Sequence, residues 1–175
     1  MSQKITDFYL AAQKQEFARN FQFRILSMPG ILGGGSFDEK LLYLESATLP
    51  GRAIANIGVP FMGLQFNIPG TANYPGSENW SVTFRCDAKY DIRNALIQQT
   101  RNTFDDKTST GTYDTPNFTS TVLLELFDKS FNTITNYSLV GAYVVSVGEN
   151  AYDVGDNGSI VKVTANLAYQ FWEIV

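Results

Sequence analysis

The chain contains no histidine, a single cysteine and few charges. Without histidine it lacks the commonest general base, the imidazole of the usual catalytic triads and the ligand of most zinc sites. With Cys86 alone, no internal disulfide can form. Cys86 falls at an apolar position of an alternating segment, which predicts packing filler rather than a nucleophile. Charged residues make up 17% of the chain, against about 25% in ordinary globular domains. The 13 lysines and arginines are scattered, the net charge is −4, and no basic stripe of the kind nucleic-acid readers carry is present. No apolar run approaches the roughly 18 residues of a membrane span. The opening segment MSQKITDFYLAAQKQEF has no apolar core region, so no cleaved secretion signal is expected.

What is present is β-rich. The 175 residues suit one domain, 1–175, with a core of its own. Residues Thr6–Phe17 predict a short helix, with Phe8, Tyr9, Ala12 and Glu16 at near-helical spacing. Asn20–Met28 and Lys40–Leu49 read as strands, separated by a flexible turn at Pro29–Ser36. The clearest strand is Asn79–Asp87, where Trp80, Val82, Phe84 and Cys86 alternate strictly with polar residues. Asp87 is placed to cap a helix over Lys89–Asn102, whose stripe is Ile92, Ala95, Leu96 and Gln99. A polar loop follows at Phe104–Asn117. Strands are predicted at Ser120–Asp128, near Thr133–Tyr137, at Leu139–Val147 and over the long segment Ser159–Ile174. Asn157-Gly158 reads as a hairpin turn. Six to eight antiparallel strands with one internal helix imply a mainly β fold, a β-sandwich or barrel-like double sheet.

No motif carries visible chemistry. Asp153-Val-Gly-Asp-Asn-Gly158 begins like a calcium loop, but its third position is Gly155 and its twelfth is Thr164, not glutamate. Asp105-Asp106 lies in a loop, and Asp87 and Asp91 flank a helix start, where carboxylates favour the dipole. Gly33-Gly34-Gly35 lacks the Lys-Ser/Thr of a phosphate loop, and four Asn-x-Ser/Thr sequons (Asn79, Asn117, Asn136, Asn157) carry no meaning without secretion. No enzyme activity, metal or cofactor is expected.

Residues 48–63, TLPGRAIANIGVPFMG, are both apolar and broken by Pro50, Gly51, Gly58, Pro60 and Gly63. A paired central strand accommodates such residues poorly. A free loop would expose an apolar patch that monomers avoid. A third reading is an arm and hairpin, 48–70, that packs on a neighbouring subunit. Its contact residues would be Leu49, Pro50, Ile54, Ile57, Pro60, Phe61 and Met62.

The order TLPG, VPFMG, NIPG, then NWSVTFRCD and DIRNALIQQ, resembles the tail tube proteins of contractile-tailed bacteriophages. The ending SIVKVTANLAYQFWEI and the N-terminal helix leading into ARNFQFRI are similar to that family too. The resemblance covers most of the chain. It implies an Hcp-like double-sheet subunit, the fold shared with type VI secretion tube proteins. It implies hexameric rings stacked into a hollow tube inside a contractile sheath, a conduit for DNA ejection, located in the tail of the virion and made in the bacterial cytoplasm. The implied partners are further copies of the chain, the sheath protein, a baseplate tube initiator and a tail terminator. Tape-measure protein and genomic DNA would pass through the lumen, and no membrane is involved. Ser81, Thr83 and Arg85 on one strand, and Lys162, Thr164 and Asn166 on another, are candidates for a lumen-facing or solvent-facing surface. Alternatives are the tube of a contractile injection or type VI secretion system, a baseplate tube initiator, or a β-sandwich binding module.

Overall fold

The computed structural model describes residues 4–14, 17–32, 39–112 and 120–175. Among these residues, ten strands form three antiparallel sheets. The first large sheet joins β1 (Phe23–Ser27), β6 (Thr121–Phe127), β7 (Thr133–Val140) and β10 (Phe171–Ile174) in the order β1-β6-β7-β10. The second joins β2 (Leu44–Ala47), β5 (Trp80–Arg85), β9 (Lys162–Ala168) and β8 (Tyr143–Val147) in the order β2-β5-β9-β8. The third is a separate two-stranded ribbon of β3 (Ala53–Phe61) and β4 (Leu64–Asn73).

The two four-stranded sheets share one core. Ile25, Val122, Leu124 and Leu139 come from the first sheet, and Trp80, Val82, Phe84, Val163, Ala165 and Leu167 from the second. The alternation of β5 and β9 produces this directly, because each alternate side chain leaves water. Helix α2 (Asp91–Thr103) packs beside β8 and buries Ile92 and Leu96, the centre of its stripe. Its start is held as the sequence predicts. Asp87 Oδ2 accepts from the N–H groups of Lys89 and Asp91, and Oδ1 accepts from Ile92. Partial burial works against the Asp87 carboxylate, yet these backbone donors keep its pKa below the ordinary value.

Four segments differ from the sequence expectation. Lys40–Leu49 is not one strand: Glu39–Tyr43 forms a 3-10 turn that buries Leu41, and only Leu44–Ala47 pairs. Leu139–Val147 bends at Gly141-Ala142, where β7 leaves the first sheet and β8 enters the second. Gly141 adopts φ 71, and both corner N–H groups donate to Ser120 O. Ser159–Ile174 breaks likewise at Tyr169-Gln170, where β9 crosses back to become β10. The crossing shifts the parity, so Trp172 packs inward while Phe171 is partly exposed. Such corners let one run of apolar residues serve both layers. Asn157-Gly158 does not close a tight hairpin, because residues 149–160 form a long exposed connection between β8 and β9. Glu16, Gly33–Gly35 and Asn117 lie outside the described residues.

Candidate assembly surfaces

The broken apolar stretch is a hairpin that pairs with neither large sheet. Its turn, Met62-Gly63, has positive φ at both residues (47 and 81), the backbone of a two-residue turn that matches strand twist. Phe61 and Leu64 close the turn. Counting back from that hydrogen-bonded pair, Pro60 opposite Gln65 and Pro69 opposite Asn56 fall where the N–H would point out of the ribbon. The prolines therefore cost no internal pairing, and they deny a hydrogen-bond donor to any strand approaching either edge.

The same register sorts the side chains by face. Ile57–Ile68, Val59–Phe66 and Phe61–Leu64 are directly opposed pairs on one face. Each of these six residues is 39–65% exposed. Gly58–Asn67 and Pro60–Gln65 occupy the other face. Glycines shape both: a Cβ on Gly58 would stand 2.2 Å from Gln65 Nε2, and one on Gly70 would crowd the Ile57 side chain at 3.0 Å. From Ala53 to Asn73 there is no charge.

Of the residues the sequence singled out for contact, Ile57 and Phe61 lie on this apolar face. Met62 caps the tip at 89% exposure, and Pro60 lies on the opposite face. Ile54 pairs with Ala72 beyond a bulge, and Leu49 and Pro50 lie in the lead-in segment. Val59, Leu64, Phe66 and Ile68 complete the face and escaped sequence reasoning. The alternation of Leu64, Phe66 and Ile68 was the available signal, and the two-residue turn set their register against β3.

Two indoles hold the foot of the hairpin. Trp80 Nε1–H donates to Thr48 O at 2.7 Å, and Trp172 Nε1–H donates to Gly51 O at 2.9 Å. Tyr74, just after β4, and Tyr137 of β7 set their rings against Trp172, with centroids 6.5 and 5.5 Å away. The tryptophans thus bind the TLPG segment from both sheets.

The second surface lies on the outer face of the β2-β5-β9-β8 sheet. Ser81–Asn166, Thr83–Thr164 and Arg85–Lys162 are directly opposed pairs, so the two polar sets form one ladder. Thr83 and Thr164 hydroxyls share a hydrogen bond at 3.1 Å, and Asn166 Nδ2 donates to Ser146 Oγ at 3.2 Å. Like charges opposed across strands repel. Glu45 of β2 answers both, accepting from Lys162 Nζ and from Arg85 Nε. The Lys162 hydrogen bond foremost, with Arg85 beside it, holds the Glu45 carboxyl below its ordinary pKa.

A third surface is helix α1 (Ile5–Lys14), which buries none of its residues. Ile5, Phe8, Tyr9 and Leu10 are each more than half exposed; Phe8 stacks on Phe17, itself exposed, and meets Tyr9 edge-on.

Burial pushes the Cys86 thiol pKa up, the reverse of an activated thiolate. Among the described residues no cluster of three acidic or sulfur ligands is placed to hold a metal ion.

A large double sheet, a detached apolar hairpin and a polar sheet face are thus on one chain, and the sequence from residue 12 to 175 matches the family model for phage tail tube proteins. The chain belongs to the phage tail tube protein family. It is a structural tube subunit, and its fold is shared by solved tube components. The sheath/tube terminator of an extracellular contractile injection system, PVC, in the extended state superposes with a TM-score of 0.65 at 12% identity, over 92% of this chain and 98% of that one. The sheath–tube complex of the same system gives 0.56 at 11% identity, over 95% and 96%. The tube-terminating cap of the anti-feeding prophage gives 0.59 at 14% identity, over 92% of each chain. No curated protein sequence matches the chain.

Proposed function

We propose that six copies of this tail tube protein close into a ring, and that rings stack through the hairpin into a hollow tube. The observation that carries the stacking is the uncovered apolar face of β3-β4. Six exposed apolar side chains on an uncharged ribbon are a surface that a solitary soluble protein avoids. A family whose members build tubes supplies a reason for it. In this reading Leu49, Pro50, Ile54, Ile57, Pro60, Phe61 and Met62 belong to the inter-subunit contact, with Val59, Leu64, Phe66 and Ile68.

The polar ladder of Ser81, Thr83, Arg85, Lys162, Thr164 and Asn166 is assigned to the bore. Glu45 neutralises much of its positive charge, so the surface would not grip a phosphate backbone moving past it. The tube would lie inside a contractile sheath, between a baseplate initiator and a tail terminator in the virion. It would pass tape-measure protein and then genomic DNA.

Negative-stain electron microscopy across a concentration series tests the assembly. Hollow tubes of uniform width are expected from the native chain. The Val59→Ser/Phe66→Ser variant is expected to stop at rings or monomers. A native chain that stays monomeric even with baseplate extract added would overturn the reading, as would normal tubes from the variant.

A further inference from the structure

The apolar hairpin face needs a complementary surface, and the same chain displays a second unpartnered apolar feature. In α1, Ile5, Phe8, Tyr9 and Ala12 recur at i, i+3, i+4 and i+7, which places them on one stripe. Asp7 and Lys14 fall on the opposite side. Ile5, Phe8 and Tyr9 of the stripe are exposed and Ala12 is half-buried, and among the described residues Phe17 alone from outside the helix sets a ring against it.

The dimensions agree. Ten helical residues span about 15 Å on a cylinder roughly 10 Å across. The hairpin face from Ile57 to Phe61 is about 14 Å long, and two strands make a ribbon roughly 10 Å wide. Both surfaces are free of charge. The outward-facing prolines at 60 and 69 leave the face, rather than the edges, as the way on to this ribbon. Two different apolar patches on every copy suit head-to-tail association, in which each copy gives one and receives the other.

We infer that helix α1 of one copy seats on the apolar face of the β3-β4 hairpin of a second copy, covering Val59, Phe66 and their neighbours. This inference rests on the tube reading, and it names the occupant of the stacking surface.

The test uses full-length chains in a Cys86→Ser background, each with one new cysteine, mixed in pairs and oxidised after assembly. Phe8→Cys is mixed with Val59→Cys or Phe66→Cys on the apolar face, and with Gly58→Cys or Asn67→Cys on the opposite face. Because each chain carries one thiol, a heterodimer band arises only between copies. Cross-linking at least fivefold stronger to 59 or 66 than to 58 or 67 is the expected result. Assembled particles with equal cross-linking to both faces, or with none, overturn the inference and leave the tube reading standing. If neither the native chain nor the Cys86→Ser parent forms a particle at any concentration, even with baseplate extract added, the tube reading falls, and this inference with it. As a second measure, Phe8→Glu is expected to raise the concentration needed for assembly at least tenfold. An unchanged threshold contradicts the seating.

Discussion

Single side chains in this protein do work that their positions in the sequence announce only in part. Asp128 holds the β6–β7 turn: its Oδ1 accepts from the N–H groups of Ser130 and Asn132, and its Oδ2 from the Asn132 amide. The bonds from Asn132 hold its carboxyl pKa below the ordinary value. The carboxyls of Glu45 and Asp156 are also lowered, by Lys162 and Ser159 respectively. A carboxyl whose pKa is depressed in the folded state binds its proton more readily when unfolded. Its stabilisation is present above the unfolded value, about 4, and is lost as pH falls through the folded value. The melting temperature should therefore fall on acidification below about pH 5. In Asp128→Asn that acid limb should be shallower, and a melting series against pH checks it. The tryptophans carry a second prediction. Trp172→Phe removes the donor to Gly51 O, and should cost about 1 kcal/mol for the hydrogen bond plus some lost packing. Chemical denaturation measures this directly.

At the scale of elements, the strict alternation of β5, the cap at Asp87 and the stripe of α2 were legible because each follows from local chemistry. The corners were not. Leu139–Val147 is a nearly continuous apolar run and Ser159–Ile174 a long alternation, and nothing in either pattern marks where a strand changes sheets. Gly141 was the one local clue, and its φ of 71 explains it. Gly141→Ala should destabilise by about 1–2 kcal/mol, since a Cβ disfavours that backbone region. The polar ladder was half legible: both triplets stood out by composition, but their pairing needed the register of β5 on β9. A hairpin within 48–70 was legible, but its turn was not, because the turn uses methionine where asparagine is usual. Met62→Asn should steady the ribbon by roughly 0.5–1 kcal/mol, the scale of turn-residue substitutions. Amide hydrogen exchange within β3 and β4 of the unassembled chain is the readout, and faster exchange than in the native chain would contradict the turn assignment.

For the whole molecule, the hairpin is separable from the core. Ala53 and Asn73 are cross-strand partners at its foot, so the chain leaves and returns at nearly the same point. Every core residue lies outside 53–73. Replacing 53–73 with a short glycine-serine linker should leave the near-ultraviolet circular dichroism and the melting temperature close to native. Sedimentation velocity should then report species no larger than rings. Loss of the folded signal would mean that the ribbon contributes to the core. The separability also fits the ribbon's composition, whose apolar pattern answers to none of the core residues.

The indole bonds at the hairpin's foot have an optical consequence. The chain has only two tryptophans, and both grip the segment from which the ribbon springs. Ultraviolet emission from this protein is therefore a point probe, reporting the electric field and wetness of one joint and little else. As neighbours dock, Trp172, the more exposed of the pair, should move to shorter wavelength while Trp80 stays constant. The kinetics of polymerisation could thus be followed in a stopped-flow cell with no dye attached.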